Sequence, residues 1–286
     1  MKYYLITFLL LLALSGTAQQ IPFYGFYRDV ASFYNPAAAG LNHSFKANLL
    51  FRNQWNGLNG SPFSYMGQVE TKLENINSGV GLNIMHEEIG FTKYTAITGN
   101  YNYQWLLNDK SSQLSVGIAP KFYAMQFPNL LVDSLGFGTT TDWNRSNAFT
   151  MNFGAAFQTE KLFIGVSAMN LIPTRQQLSD VFNYNHALHF SVMASYNVQL
   201  TENMKLIPNV HVQSDMVRLN VFLGARVEHQ KLWYQVGYHN RQNYNASIGY
   251  RFLDRINVGY MIGFWPNAPI YPNAWSHEAF IAYELK

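Results

Sequence analysis

Apolar and polar residues alternate with a period of two through most of the chain after residue 44. In the first such run, Phe45, Ala47 and Leu49 alternate with Lys46 and Asn48. Successive side chains of a β-strand point to opposite faces, so this alternation predicts strands with one apolar and one polar face. Fourteen runs carry the pattern, at 45–52, 63–72, 80–84, 95–105, 114–122, 149–157, 162–168, 188–198, 205–213, 217–227, 232–238, 244–252, 256–262 and 279–285.

The connections between these runs fall into a short and a long class. The short ones are Leu73–Ser78, Asn108–Ser111, Thr159–Glu160, Thr201–Asn203, His229–Gln230 and Leu253–Asp254. The long ones are Phe127–Ser146, Leu171–Asn185 and Phe264–Ser276. Short periplasmic turns, longer extracellular loops and an even number of strands are typical of an antiparallel outer-membrane β-barrel. We therefore predict an all-β chain that forms such a barrel with about 14 strands.

A soluble β-sandwich or barrel is the alternative, because its strands also alternate, with the apolar face turned inward. Here the polar face consists mostly of Asn, Ser, Gln, Tyr and Gly rather than Lys and Glu. Such a face suits an enclosed lumen better than open water. Several runs are also close to ten residues long, beyond the usual five or six of soluble strands. Both observations favour the membrane barrel.

The residues before the first strand divide into two parts. Residues 1–18 have Lys2, an apolar run and a small-residue end at Ala18, the pattern of a secretory signal peptide that is cleaved after Ala18. The apolar run is too short to cross a bilayer about 30 Å thick. Residues 19–44 are rich in aromatic residues, Asn, Pro and Ala, and we expect a periplasmic segment that plugs or caps the barrel, with a disordered leader as the alternative. Residues 45–286 form the barrel domain.

The amino-acid composition agrees with a membrane barrel and excludes several kinds of chemical site. Aromatic residues make up 16% of the chain and charged residues only 12%, about half the usual share for a globular protein. Aromatic side chains are suited to the two interfaces of a membrane. The chain has no cysteine, which excludes disulfides, thiolate nucleophiles and cysteine metal sites. A net charge of +3 without a dense basic run indicates no nucleic-acid partner, and nothing in the sequence indicates a cofactor.

Two short motifs resemble catalytic or metal-binding groups. His86-Glu87-Glu88 contains metal-ligand types, and Ser276-His277-Glu278 contains the residue types of a hydrolytic triad. Neighbouring residues of a strand point to opposite faces, so neither motif is expected to converge on one site. We predict neither a catalytic nor a metal site, and no enzymatic activity.

Glycines occur inside many predicted strands, among them Gly79, Gly117, Gly154 and Gly165. Glycine weakens the interior of a strand unless the backbone bends or another group approaches it closely. Barrel closure and packing in the lumen both provide such a reason.

Two motifs in the first third of the chain resemble those of a known family. Asn35-Pro36-Ala37-Ala38-Ala39-Gly40 is followed by Phe51-Arg52-Asn53-Gln54-Trp55, with Gly57, Gly60 and Pro62 shortly after. These residues resemble the PorP/SprF family of outer-membrane proteins of Bacteroidetes, which is tied to type IX secretion and gliding. His277-Glu278 resembles the family's final strand. Phe51 stands where the family usually has Tyr, Glu88 where it usually has Asp, and the chain ends on Leu285-Lys286 rather than on an aromatic residue.

The resemblance implies a role and a set of partners. It implies an outer-membrane component that helps export, retain or anchor secreted cargo carrying a C-terminal signal domain, together with other secretion-system components and membrane lipid. Arg52, Asn53, Gln54 and Trp55 are candidates for a partner-binding loop, or for a structural end of the first strand. Asn35, Pro36 and Gly40 mark the N-terminal segment. A passive or substrate-specific outer-membrane pore is the alternative function.

Overall fold

The computed structural model describes residues 21–107, 112–128, 143–177, 183–240, 243–268 and 273–285. The predicted signal peptide and the predicted turn at Asn108–Ser111 lie outside these residues, as does most of the predicted long connection at Phe127–Ser146.

Within the described residues the chain is almost entirely β-structure. Its strands are β1 (Phe45–Asn56), β2 (Phe63–Leu73), β3 (Ser78–Ile89), β4 (Thr92–Leu107), β5 (Ser112–Pro128), β6 (Trp143–Thr159), β7 (Leu162–Met169), β8 (Thr174–Gln177), β9 (Asn183–His186), β10 (His189–Tyr196), β11 (Val198–Thr201), β12 (Met204–Ser214), β13 (Leu219–His229), β14 (Leu232–His239), β15 (Asn243–Phe252), β16 (Ile256–Trp265) and β17 (Ala274–Leu285). One short helix, α1 (Ala31–Tyr34), and 3₁₀ turns at Pro36–Ala38 and Glu74–Ile76 complete the described elements.

The strands close into an antiparallel barrel. Each wall strand pairs with its neighbour in sequence, and β1 pairs with β17 from Phe45↔Leu285 to Asn56↔Trp275. β10 and β11 both pair with β12 and together form the eighth wall strand. The predicted barrel of about fourteen strands is confirmed, and each predicted run overlaps a wall strand, although the runs at 188–198 and 217–227 begin before β10 and β13 do.

A proline accounts for the break in the eighth strand. Pairing with β12 stops after Ser195↔Asn209 and resumes at Val198↔Leu206, so the gap lies opposite Pro208. Proline has no backbone N–H to donate to a ladder. Pro208 still faces Ala225 of β13 on its other side.

The long connections contain more structure than the alternation predicts. β5 and β6 extend into the predicted connection at Phe127–Ser146, and β17 begins at Ala274, inside the predicted connection at Phe264–Ser276. The connection at Leu171–Asn185 includes the separate hairpin of β8 and β9. Beyond the hydrocarbon layer neither face of a strand has to be apolar, so the period-two signal fades although the backbone pairing continues.

The outer face of the barrel is apolar along its height. Exposed aliphatic side chains form its middle, among them Leu49, Ile84, Ile97, Val192, Val236 and Ile281. Exposed aromatic residues lie towards the short-turn end at Tyr101, Tyr103, Trp105, Tyr196, Tyr250 and Phe252, and towards the long-loop end at Phe51, Phe63, Tyr65, Tyr238, Tyr244 and Trp275. Two aromatic girdles around an aliphatic band are the surface that a bilayer requires.

A charge in the middle of this band is expected to destabilise the barrel. Ile84 faces outward between Gly67 and Ile97. We expect Ile84→Arg to lower the free energy of unfolding in lipid vesicles by about 2–4 kcal/mol, the cost of arginine at the bilayer midplane. Phe91→Arg is the control, because Phe91 is 66% exposed in the turn between β3 and β4. Equal losses for both variants would contradict an outer face buried in lipid.

Residues 21–44, here called the inner segment, lie inside the barrel. The segment includes α1 and the 3₁₀ turn at Pro36–Ala38, and it reaches β1 at Ser44. Tyr24, Tyr27 and Tyr34 are fully buried by the wall, although they precede the first strand. No helix in the described part of the chain is both long and apolar enough to cross a membrane.

Candidate functional site

The inner segment packs its aromatic rings against rings from the barrel wall. The Tyr27 ring lies 4.7 Å from His211 and 5.6 Å from Phe222, and its hydroxyl donates to Asn209 Oδ1 at 2.8 Å. The neighbouring ring of Phe26 lies 4.7 Å from Phe280 of β17. Buried aromatic pairs of this kind contribute about 0.5–1.5 kcal/mol each beyond their buried area. The polar inner face predicted by the alternation therefore surrounds an aromatic core.

Asn35 joins the inner segment to the wall. Its side-chain oxygen accepts the N–H of Ala37 at 3.0 Å and so caps the 3₁₀ turn. Its Nδ2 donates to the carbonyl oxygens of Ala155 in β6 at 3.0 Å and Val166 in β7 at 3.2 Å. One buried side chain thus closes the turn of the segment and binds two wall strands.

Wall glycines make room for this close approach. A Cβ atom at Gly154 would lie 2.0 Å from Asn35 Oδ1, and one at Gly117 would lie 2.6 Å from the backbone N of Ala37. Any side chain at either position would displace the segment. The strand glycines noted in the sequence therefore serve packing in the lumen.

Polar wall side chains bind the backbone carbonyls of the segment. Asn102 Nδ2 donates to the carbonyls of Pro36 at 3.0 Å and Ala39 at 2.8 Å, and Ser167 Oγ donates to that of Tyr34 at 2.7 Å. The motif ends at Gly40, whose φ of +65° favours glycine. The motif residues Asn35, Pro36 and Gly40 are thus all buried where the segment meets the wall.

An ion cluster holds the segment near the short-turn end. The carboxylate of Asp29 pairs with Arg226 at 3.2 Å, and the backbone carbonyl of Asp29 accepts Lys46 Nζ at 2.7 Å. The guanidinium of Arg226 lies 3.8 Å from the centre of the Trp233 ring. Burial by itself would raise the pKa of Asp29, but the positive charges of Arg226, Lys46 and Arg28 outweigh it and leave the pKa below its ordinary value.

Acid is expected to loosen this end of the segment. Because the pKa of Asp29 is lower in the folded protein than in the unfolded chain, its contribution to stability is complete above the ordinary aspartate value of about 3.9 and is lost as the pH falls below it. In planar bilayers we expect channel openings to become more frequent below about pH 4. The Asp29→Asn variant should show channel openings already at pH 7, because the substitution removes one partner of a buried ion pair, a change that costs ~3 kcal/mol. Its openings should respond less to acid than those of the wild type. Identical pH profiles for the two proteins would contradict this role.

The inner segment separates two chambers. The short-turn chamber, of ≈ 410 Å³, is bordered by charged residues that include Arg28, Lys46 and Glu284. The long-loop chamber, of ≈ 620 Å³, is bordered by Ile21 and Phe23 of the segment and by wall residues near the long loops. Each chamber belongs to one end of the barrel, and the aromatic core lies between them.

Arg52 and Glu278 form a buried ion pair at the floor of the long-loop chamber. Arg52 Nε lies 3.4 Å from Glu278 Oε1, and both side chains are less than a tenth exposed. The two carboxylate oxygens of Glu278 also accept the backbone N–H of Gly25 at 3.1 and 3.0 Å. The pair therefore binds the start of the inner segment as well as β1 to β17.

The four predicted loop residues lie at the end of β1, where the structure divides them. Arg52 and Gln54 face the chamber, whereas the alternation places Asn53 on the opposite face, with its Nδ2 3.5 Å from Asn56 Oδ1. Trp55 has a φ of +57° at an irregularity of the β1–β17 pairing and also borders the chamber. Its backbone N–H donates to Ser276 Oγ at 3.2 Å, and its ring lies 5.9 Å from that of Trp265.

The motifs that resemble catalytic groups do not converge. Ser276 and Glu278 are buried in the lumen, whereas His277 Nδ1 lies 2.6 Å from the hydroxyl of the exposed Tyr260. His86 lies 3.4 Å from Glu88, and Glu87 points into the barrel. Among the described residues, no group of three or more His, Cys, Asp or Glu is placed to hold a metal ion.

Sequence reasoning missed the acidic residues of the long-loop chamber. The sequence places Glu87 and Glu278 in motifs for which no buried partner is predicted, just outside the predicted runs at 80–84 and 279–285, whereas in the structure each stands at an inward position of a strand. A carboxylate at an inward position near the end of a strand is a signal for a buried partner, because an unpaired buried charge is costly. Arg52, which faces the lumen near the end of β1, is the partner of Glu278.

Comparison with known proteins identifies the family and the fold. The family model described as "Type IX secretion system membrane protein PorP/SprF" matches residues 16–283. No curated protein matches the chain. The chain is similar to the solved structure of the Ralstonia pickettii toluene transporter TbuX, with 13% identity, a TM-score of 0.54, and 90% of this chain and 93% of that chain covered. It is similar to a Pseudomonas aeruginosa FadL homologue, with 10% identity, a TM-score of 0.54, and 90% of this chain and 94% of that chain covered. It is also similar to the Acinetobacter baumannii outer membrane protein Omp33, with 8% identity, a TM-score of 0.51, and 86% of this chain and 100% of that chain covered. At these identities the likeness concerns the outer-membrane barrel fold alone.

Proposed function

The chain belongs to the type IX secretion system membrane protein family PorP/SprF, and we propose that it is a non-enzymatic outer-membrane component that helps export, retain or anchor partner proteins at the cell surface. Family and fold are those of a membrane barrel and not of an enzyme class. The partner is a secreted protein with a C-terminal signal domain, and other secretion components dock at the periplasmic side.

The orientation follows from the lengths of the connections. Short turns lie in the periplasm and long loops outside in outer-membrane barrels. In this orientation the long-loop chamber faces the cell surface and the charged short-turn chamber faces the periplasm. The cargo then binds at the long-loop chamber and its surrounding loops, where Arg52, Gln54 and Trp55 are part of the lining.

The filled lumen is the observation that supports a binding role over a passive pore. Rings of the inner segment and of the wall occupy the middle of the barrel, and each chamber belongs to one end. A barrel that transports by an open bore needs a continuous aqueous path. A surface that binds a partner needs only an accessible, ordered mouth with aromatic and polar side chains.

Deletion of the gene in the cells that produce the protein tests the proposal. We expect a specific secreted protein to disappear from the cell surface while the permeability of the outer membrane to small solutes stays normal. Expression of the Trp55→Ala variant in the deletion strain should leave surface display reduced. Expression of Trp275→Ala, which changes an outward-facing tryptophan of the aromatic girdle, should restore surface display. Unchanged surface proteins in the deletion strain would overturn the secretion role. A loss of small-solute uptake instead would favour the pore.

A further inference from the structure

Two asparagines of the long-loop chamber have side-chain amides without a hydrogen-bond partner. Asn243 and Asn245 stand two residues apart on the inward face of β15, each is 9% exposed, and both border the chamber. Among the described residues no group pairs with either side-chain amide, and Oδ1 of Asn245 is itself buried. A buried amide has donors and an acceptor to satisfy and is costly without a partner.

Two tryptophan rings border the same chamber. The rings of Trp55 and Trp265 lie 5.9 Å apart and meet at 82°, and the indole N–H of each is buried without a partner among the described residues. Gly263 of β16 brings Asn243 close to this part of the wall, because a Cβ atom there would lie 3.3 Å from Asn243 Nδ2. The chamber thus offers aromatic rings and unpaired amides together.

The charges around the chamber balance one another. Arg52 is paired with Glu278 in its lining. Glu87 borders both the chamber and a small adjoining cavity of ≈ 20 Å³, and Lys121 borders the same small cavity. With the histidines neutral, the described lining of the two cavities holds two positive and two negative side chains. A charged ligand would therefore bring an unbalanced charge, whereas a neutral polar ligand would not.

The wall at the chamber offers side chains to a ligand but no strand edge. β15 pairs with β14 as far as His239↔Asn243 and with β16 as far as Tyr244↔Phe264, and β16 pairs with β17 as far as Trp265↔Ala274. A peptide that binds by adding a strand needs an unpaired edge. The hydroxyl groups of a sugar need only side-chain donors and acceptors, and the C–H face of a sugar ring packs on an aromatic ring.

We propose that the long-loop chamber binds a neutral carbohydrate, with hydroxyl groups on Asn243 and Asn245 and a sugar ring against Trp55 or Trp265. A side-chain amide presents two donors and an acceptor, which match neighbouring hydroxyl groups of a sugar. The volume of ≈ 620 Å³ lies in the range of small-ligand sites. This assignment goes beyond the proposed function, because it holds for a free sugar as well as for one carried by a secreted partner.

An oligosaccharide array followed by a titration tests the proposal. The full protein, purified in a detergent without a sugar head group, is applied to neutral oligosaccharides, acidic oligosaccharides and unglycosylated peptides. We expect it to bind at least one neutral oligosaccharide. That oligosaccharide is then titrated, free and linked to a carrier protein, while tryptophan fluorescence is recorded. Equal affinities would show that the chamber recognises the sugar alone, and tighter binding of the linked form would assign the sugar to a glycoprotein.

Asn100→Ala is the matched control for the asparagine variants. Asn100 of β4 is 5% exposed and its amide is also unpaired, but it does not border the chamber. We expect Asn243→Ala/Asn245→Ala to bind the oligosaccharide at least about tenfold more weakly than the wild type, because two side chains that bond the sugar are lost. Asn100→Ala should bind with the wild-type affinity. Asn243→Ala alone, with a smaller loss, serves where the double variant lacks a β-sheet circular dichroism spectrum.

Three results would overturn the proposal. They are the absence of any bound neutral oligosaccharide, equal affinities of the asparagine variants and Asn100→Ala, and binding confined to acidic oligosaccharides or peptides. Binding of peptides alone would leave the cargo-binding role standing. Surface display of cargo enters none of these measurements, so the secretion role is tested separately.

Discussion

Deletion of residues 21–40 is expected to turn a nearly silent barrel into an open channel. These residues supply Phe26, Tyr27 and Tyr34, whose rings fill the middle of the lumen. The wall itself is held by pairing between neighbouring strands and by the closure of β1 on β17, to which the segment contributes no strand. The barrel should therefore persist without it, as a wider bore.

Planar-bilayer recording gives the size of this effect. We expect the mean conductance of the deletion variant to exceed that of the intact protein by roughly tenfold or more, because fourteen strands enclose more space than the eight-stranded barrels that wall side chains alone can fill. A β-sheet circular dichroism spectrum in detergent checks that the variant has folded. An equally large and steady current from the intact protein would contradict a filled lumen.

A second variant keeps the test valid where the deletion fails to fold. Tyr27→Ala removes one ring from between His211 and Phe222 together with its hydrogen bond to Asn209, and leaves the chain length unchanged. Truncation of a buried aromatic side chain costs about 3–5 kcal/mol. We expect brief openings from this variant, fewer than from the deletion and more than from the wild type.

Gly154→Ala is expected to detach the Asn35 motif from the wall. The added Cβ would meet Asn35 Oδ1 at 2.0 Å, and Asn35 cannot withdraw without losing its bonds to Ala155, Val166 and Ala37. Three hydrogen bonds at about 1 kcal/mol each set the expected loss of unfolding free energy near 3 kcal/mol. Chemical denaturation in detergent, followed by the fluorescence of the tryptophans, measures it.

Gly99→Ala is the control for this prediction. Gly99 lies in β4, and a Cβ atom there would have no neighbour within 4 Å. We expect a change of at most about 0.5 kcal/mol. Asn35→Ala should reproduce the Gly154→Ala loss, and the double variant should lose little more, because the two residues share one contact. Additive losses, or equal effects of the two glycine variants, would show that Asn35 does not dock at Gly154.

The wall of the barrel was predictable because its signal is local. A strand with lipid on one side and a lumen on the other must alternate apolar and polar residues. Runs such as Val217–Val227 show this alternation within a few residues. The eighth strand was predicted as one run, and its division into β10 and β11 depends on Pro208 in the next strand. The boundaries towards the long loops were underestimated because pairing there continues without an apolar face.

The contents of the lumen were much less predictable because they depend on contacts distant in sequence. Asn35 binds Val166, 131 residues away, and Gly25 binds Glu278, 253 residues away. Nothing near Asn35 in the chain distinguishes a residue that docks in the lumen from one that forms an ordinary turn. Arg52 was chosen as a loop residue from a motif, whereas its role as the partner of Glu278 follows only from barrel closure between β1 and β17.

Disulfide trapping of the inner segment tests the central claim most directly, because the chain has no native cysteine. A Cβ atom at Gly81 of β3 would lie 3.5 Å from Cβ of Ala39, at the short edge of the disulfide range. For the Ala39→Cys/Gly81→Cys protein in lipid vesicles, we predict rapid formation of an intramolecular disulfide under mild oxidation. Ala39→Cys/Gly99→Cys, with its second thiol on the outer face, should form none. Failure of the first pair to cross-link, or equal cross-linking of both pairs, would contradict an inner segment that fills the lumen of a membrane barrel.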